Sequence, residues 1–410
     1  MIHLVETKTI NLVDYKNLIG KESYEEILLS ANQLKGLRVL HINTTTDGGV
    51  GEILKTLIPL LKNVGVDASW YIFEKNSAFF KVSKELHNFL QGKKGSLTQE
   101  QKSNYLDINT QVAKYLDQKE FDLLVVHDPQ PAGVLQFLPK KVKSIWRCHI
   151  DTSNPNPDVW NWFLQFLSGY DRYVFTLRKY IGEGIDYEKC RIIHPAIDPL
   201  NEKNDPLPLE TANETVKKFK VDPENPLVSQ VSRFDPWKDP WGVIDAYRIA
   251  KTQIPNLQLA LVGVFAPDDP EALDIEKGLI KYSKGDSDIH ILSNRDGVGP
   301  REVNAFQVAS SVIIQKSTRE GFGLTVSEGM WKEKPVIGGR AGGIVEQIID
   351  GETGYLVTTA SQTAEKIIYL LENPAEATKM GQKGKERVRQ HFLITRMLLD
   401  HLKLYKELAR

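Results

Sequence analysis

Two series of short apolar runs, each run followed by an amphipathic stretch, constrain this chain more than any other feature. The first series comprises GLRVLHIN (36–43), ASWYIF, DLLVVHD, KSIWRCHI, RYVFTL and CRIIHPAI. Between these lie stretches such as GGVGEILKTLIPLLKNVG and LTQEQKSNYLDINTQVAKYLDQ, with apolar residues at helical spacing. Such alternation argues for a mostly parallel sheet covered on both faces. Near residue 199 the texture changes: PLNEKNDPLPLETANETVKKFKVDPENP has no strand-like apolar run and reads as an inter-domain crossing. A second series then begins with LVSQVSRF, LQLALVGV, DIHILSN, SVIIQKS, KPVIGGR and TGYLVT. The expectation is α/β: two Rossmann-like doubly wound domains, residues 1–205 and 206–387, facing a central cleft, with ligands at the carboxyl ends of the strands.

A chain of 410 residues is long enough for two such domains. Its net charge of −1 supplies no global field for nucleic acid or an anionic membrane, so neither is expected as a partner. The basic run KGKERVRQHF (383–392) reads as a solvated helix face. Two cysteines, Cys148 and Cys190, are too few for a disulfide framework and suit a reducing cytoplasm. MIHLVETKTI carries charges where a signal sequence needs an apolar core, and no run approaches the ~20 apolar residues of a membrane helix. A cytoplasmic location is expected.

The stretch EGFGLTVSEGM (320–330) places Glu320 and Glu328 on either side of a glycine-rich turn. The preceding strand is expected to end at Ser317 and a helix to begin at Leu324. Gly321 and Gly323 let backbone approach a ligand, and the free amides of the helix start form an anion site. Glu320 then sits at the strand's carboxyl edge, and Glu328 one turn into the helix. An order of acid, amides, acid fits sugar, diphosphate and ribose; the alternative is a turn with two surface glutamates.

In SRFDPWKDPWG (232–242), Arg233 and Lys238 follow a strand of the same domain, where two cations can clamp a diphosphate or lie on a solvated turn. TTTDGGVGE (44–52) joins the first strand to the first helix through three glycines and lacks the G-x-G-x-x-G of a NAD site. RCHID (147–151) brings His149 and Asp151 to another strand end.

The E-x7-E of EGFGLTVSE, the Arg–Lys pair of SRFDPWKDP, the GGVGE loop and the strand-end histidine resemble retaining GT-B glycosyltransferases, glycosyltransferase family 4 type. The resemblance extends over essentially the whole chain. WRCHID, SRFDPWKDPWGVIDAY and RQHFLITR are more narrowly similar to the trehalose glycosyltransferring synthases and the related retaining trehalose phosphorylases. It implies that the C-terminal helix, 388–410, crosses back to the first domain.

The resemblance assigns roles by position. Glu320 would hold donor glucose hydroxyls, with Gly321, Phe322 and Gly323 lining that sugar. Leu324 and Thr325 would offer amides to the diphosphate, Arg233 and Lys238 would neutralise it, and Glu328 would bind ribose. Gly263, Val264, Ser293 and Asn294 would flank the base. His149 would touch the glucose near its reacting end, making His149, Arg233, Lys238 and Glu320 the catalytic set. Gly48, Gly49, Glu52, Asp151 and Arg178 would form the acceptor side.

The implied reaction moves glucose from a nucleoside diphosphate glucose to free glucose, giving α,α-trehalose reversibly and with retention. The small-molecule partners are therefore nucleoside diphosphate glucose, glucose and trehalose. No cofactor and no metal are expected, because the only D-x-D, at 286–288, lies in the charged connection KYSKGDSDIH. A glycosidase would need both acids at the sugar. Alternatives are a retaining trehalose phosphorylase and a sugar-nucleotide sensor without turnover, although a sensor should lack part of the catalytic set. A homodimer is allowed, and the sequence sets no oligomeric state.

Overall fold

The computed structural model describes residues 2–46, 48–73, 77–265 and 271–409. Thirteen strands occur among them: β1 (Ile2–Leu4), β2 (Arg38–Asn43), β3 (Asp67–Phe73), β4 (Leu123–His127), β5 (Lys143–Arg147), β6 (Arg172–Phe175) and β7 (Cys190–Ile192) in one sheet. A second sheet holds β8 (Leu227–Val231), β9 (Gln258–Gly263), β10 (Ile289–Ser293), β11 (Val312–Gln315), β12 (Val336–Gly339) and β13 (Tyr355–Val357). The chain divides into two compact units, residues 1–195 with 394–410, and residues 196–393.

In the first unit the order is β1-β3-β2-β4-β5-β6-β7, parallel except for β1, which pairs antiparallel with β3. β4 is buried at all five positions, as expected for a strand covered on both faces. The helix Gln99–Asp117 begins where the sequence pattern placed it, because Thr98 and Gln101 form a reciprocal capping box. β1 was not expected: three residues with one apolar neighbour on each side of a histidine carry too little pattern to read. The last helix, Ile394–Leu408, packs on the helices Lys16–Asn32 and Gly48–Asn63 with ten buried residues. Only 394–410 of the expected 388–410 belongs to this unit. The reason is local: Arg387 donates to the carbonyls of Glu346 and Gln347, and the Phe392 ring packs on Phe322, holding that stretch to the second unit.

In the second unit the order is β10-β9-β8-β11-β12-β13, all parallel. Numbered within the unit this is 3-2-1-4-5-6, the Rossmann order, with the topological switch between β8 and β11. This unit begins at Ala196, ten residues before the expected boundary at 206. The polar segment after 199 is no bare crossing, since it contains the helix Leu209–Lys217, which packs against the helix Pro300–Ala309. Asn304 fastens its lead-in, donating to the carbonyls of Glu202 and Asp205. The basic run 383–392 lies on a helix whose charges are largely paired, Lys383 with Glu352, Lys385 with Glu333 and Arg389 with Glu386.

Candidate active site

The turns after β8 and β11 lie side by side at the switch point of the second unit. Thr325 Oγ1 donates to the carbonyl of Val231, the last residue of β8, at 3.1 Å, and the Thr318 amide reaches the Trp237 carbonyl at 2.8 Å. Asp239, at φ +51°, accepts from the Gly242 amide to cap the helix Pro240–Lys251 and also takes the ammonium of buried Lys316. A Cβ at residue 242 would stand 2.4 Å from the Asp239 carboxylate, so this cap depends on glycine. The result is a turn after β8 tied at several points to the end of β11.

Within it, Lys238 and Glu320 form an ion pair at 2.5 Å, with side chains 14% and 10% exposed. Glu320 also accepts from Ser317 Oγ at 3.2 Å, Gln315 Nε2 at 3.4 Å and the Gly321 amide at 3.1 Å. Arg233, by contrast, is 58% exposed and 3.6 Å from Asp235. The two expected clamp cations thus differ: Lys238 is largely buried against Glu320, whereas Arg233 is mostly exposed and lies near Asp235. Gly323, at φ +82°, caps the helix Leu324–Trp331. The amides of Leu324 and Thr325 fall in its first turn, where no intrahelical carbonyl can receive them. Gly321 is open, with nothing within 4 Å of where a Cβ would stand.

Phe322 is a different matter. Its ring is buried, 5.7 Å from Phe392 and against Gly343, and its carbonyl accepts from Gln347. The side chain of Phe322, expected to line the donor sugar with Gly321 and Gly323, is thus engaged in core packing. Glu328 is also buried, accepting from Lys203 Nζ and Gln307 Nε2, each at 3.2 Å. Burial alone would raise its carboxyl; Lys203, Lys332 and Gln307 outweigh that and hold it below the ordinary carboxylate range. Burial pushes Lys332 down to about 8. Neither Lys203 nor Lys332 was singled out in the sequence; the 125-residue separation of Lys203 from Glu328 leaves no local signal.

At the neighbouring strand ends, Gly263 lies under the Phe234 ring, 2.4 Å from where a Cβ would be, so its lack of side chain serves that ring. Val264 is 44% exposed. Ser293 is buried and its hydroxyl is committed to Asp296 at 2.9 Å, while Asn294 brackets Phe265 through its amide and carbonyl. Of these four, only Val264 presents a side chain free for a planar base. The D-x-D carboxylates meet Lys251, and that of Asp286 also accepts from the Tyr247 hydroxyl. Among the described residues no group of three or more His, Cys, Asp or Glu could hold a metal ion.

In the first unit the switch point falls between β2 and β4. Gly48 and Gly49 are exposed and open, but a Cβ at Gly51 would meet the Thr46 carbonyl oxygen at 2.1 Å, so Gly51 is the glycine the loop requires. Asp47 of this loop lies outside the described residues. Glu52 and Arg178 are exposed. Asp151 accepts from the amide and hydroxyl of Ser153, which makes it a turn former.

His149 lies just beyond β5. Its amide donates to Asp128 Oδ1 at 3.0 Å, and its Nε2 is 3.0 Å from Nδ1 of His127 on β4. Burial, then repulsion from Arg147, keeps its imidazole well below the usual histidine range. Asp128 and His127 were missed by sequence reasoning. Their signal was present, because HIN, VVHD and RCHID each carry a histidine toward the carboxyl end of a strand-like run.

Comparison with known proteins agrees with this architecture. Residues 41–182 match the family model described as trehalose synthase, N-terminal domain, and residues 212–387 match glycosyl transferases group 1. Trehalose synthase of Pyrococcus horikoshii is 48% identical over 97% of this chain and 96% of its own. Trehalose synthase of Rubrobacter xylanophilus is 46% identical over 97% of each. Trehalose phosphorylase of Pleurotus pulmonarius is 27% identical over 88% of this chain and 55% of its own. Among solved structures, Anabaena Alr3699/HepE in complex with UDP-glucose superposes with a TM-score of 0.69 at 16% identity, covering 91% of this chain and 100% of that one. Sucrose-phosphate synthase from Thermosynechococcus elongatus gives 0.70 at 19%, covering 91% and 99%. The fold is therefore the expected GT-B pair of Rossmann-like domains, and the chain belongs to the trehalose synthase family of glycosyltransferases.

Proposed function

We propose that the chain transfers glucose from a nucleoside diphosphate glucose to free glucose, with retention, forming α,α-trehalose and nucleoside diphosphate reversibly and without a metal ion. The observation that carries this reading is the Lys238–Glu320 pair beside Arg233 and the uncapped amides of the helix Leu324–Trp331. Cleaving a bond to a diphosphate builds negative charge on the leaving oxygen, and cations with fixed dipoles stabilise it without reorganising. Glu320 would accept from sugar hydroxyls while keeping Lys238 in place, and Arg233 could swing from Asp235 onto the distal phosphate. The leaving phosphate would take the acceptor's proton on the same face of the sugar. Support for the donor class comes from the fold shared with a protein solved with UDP-glucose; support for the product comes from relatives at 46–49% identity.

A phosphorylase would set inorganic phosphate against the same cations. It is the weaker reading, because that relative is 27% identical, against 46–49% for the synthases. A sensor would lack part of the set, whereas His149, Arg233, Lys238 and Glu320 are all present. The test is trehalose breakdown with either nucleoside diphosphate or phosphate as sole co-substrate. Nucleoside diphosphate glucose is the expected product; glucose 1-phosphate from phosphate alone would assign the phosphorylase, and no turnover with either the sensor.

A further inference from the structure

Three histidines and a tyrosine of the first unit form one continuous row. Nε2 of His149 lies 3.0 Å from Nδ1 of His127, Nε2 of His127 lies 3.0 Å from Nδ1 of His41, and Nε2 of His41 lies 3.1 Å from the Tyr405 hydroxyl. The rings of adjacent histidines are nearly coplanar and meet edge to edge, with centroids 5.3 Å apart and interplanar angles of 20° and 23°. His41 is on β2, His127 ends β4 and His149 follows β5, so the row crosses three adjacent parallel strands. It terminates on the helix Ile394–Leu408, which supplies Tyr405.

The links cannot be oriented independently. A neutral imidazole has one N–H and one bare nitrogen, so each N···N contact is a hydrogen bond only if one ring donates and the other accepts. Burial keeps these rings neutral, and the cationic Arg147 nearby opposes a proton on His127 and His149. Once one link is oriented, every other link follows. Tyr405 decides the direction. Its hydroxyl is fully buried, and His41 Nε2 is its hydrogen-bond partner among the described residues. Turned away from His41, the O–H would be buried without an acceptor. It therefore donates to His41 Nε2, which leaves the His41 proton on Nδ1. His41 donates to His127 Nε2, and His127 donates from Nδ1 to His149 Nε2. The proton of His149 must then sit on Nδ1, the one ring nitrogen outside the row, for which no partner occurs among the described residues.

We propose that this row fixes His149 as the Nδ1–H tautomer, so that it presents a hydrogen-bond donor to a substrate oxygen and is not a general base, with Tyr405 as the positioning residue that sets the direction. The role toward substrate rests on the function proposed above; the tautomer does not. The experiment uses the full chain labelled with 15N-histidine, recording two-bond 1H–15N correlations and 15N–15N couplings across the N–H···N bonds near neutral pH. The expected result is a protonated Nδ1 and bare Nε2 on His149, with coupling from His149 Nε2 to His127 Nδ1. A proton on His149 Nε2, or exchange between two tautomers, would overturn the proposal without touching the reaction assignment. Tyr405→Phe removes the donor and should release the direction, giving mixed or inverted tautomers and a kcat lower by roughly tenfold at unchanged KM for the sugar nucleotide. An unchanged His149 tautomer in this variant would refute the role of Tyr405. An inverted tautomer with full turnover would refute the donor role of His149 while leaving the row itself intact.

Discussion

Replacing Lys238 by Met tests whether the ion pair at the centre of the second unit's site is a structural and functional couple. In the native protein the two charges meet at 2.5 Å with little solvent. Removing one member of a buried pair costs about 3–5 kcal/mol, because the other charge is left uncompensated. Glu320 would keep three hydrogen bonds, from Ser317, Gln315 and Gly321, so the expected loss is nearer about 2–3 kcal/mol. Glu320→Gln should cost less, since a lone ammonium can reach toward water. The double variant should be about 2 kcal/mol less destabilised than the sum of the singles. Urea unfolding gives the stabilities, and Trp237, next to Lys238 in sequence, supplies a fluorescence signal from this unit. Calorimetric titration with free nucleoside diphosphate gives the functional half. Lys238→Met should weaken binding by about 1.5–3 kcal/mol for a lost charge-assisted bond, while Glu320→Gln releases Lys238 and should leave binding equal or tighter. Additive stabilities, or equal weakening by both variants, would refute the reasoning.

Glu328→Ala should destabilise the second unit by about 2–4 kcal/mol, since it removes the carboxylate that faces the ammonium groups of Lys203 and buried Lys332, and a variant that loses nucleotide affinity alone in urea and binding assays would contradict this. Stability should fall as pH drops below 6.5, because His41, His127, His149 and His401 have folded pKa values below the unfolded value, so the unfolded state binds more protons there. Each histidine contributes up to about 1.4 kcal/mol per pH unit, so a flat urea midpoint between roughly pH 7 and 5 would exclude it. Gly51→Ala should cost about 1–3 kcal/mol or abolish folding while Gly49→Ala is close to neutral, given the 2.1 Å approach to Thr46 at one and open space at the other; equal thermal midpoints would speak against the loop geometry. Turnover should survive excess chelator, and its loss with rescue by magnesium would overturn the metal-free reading.

What the sequence made legible was what repeats or lies close in the chain. Each of the twelve apolar runs became a strand, and central ones such as β4 and β9 are buried at every position, where both faces are covered. Arg233, Lys238 and the turn from Glu320 to Thr325 could be placed together because strand-to-helix turns of a doubly wound sheet share one edge. Side-chain partnerships were not legible. Nothing local says that Lys203 reaches Glu328, that Phe322 turns inward to Phe392, or that Ser293 is spent on Asp296. The histidine row needed the register of three strands and the return of the last helix before His41, His127, His149 and Tyr405 could be seen as neighbours.

The central claim is tested most directly by stereochemistry. The protein is incubated with nucleoside diphosphate glucose labelled with 13C at C1, excess unlabelled glucose and chelator, and the product is read by NMR as it forms. The account predicts a single α,α-1,1-linked disaccharide carrying the label in one ring, with one nucleoside diphosphate released per bond. A β linkage, a linkage to any other glucose hydroxyl, or release of free labelled glucose alone would contradict it.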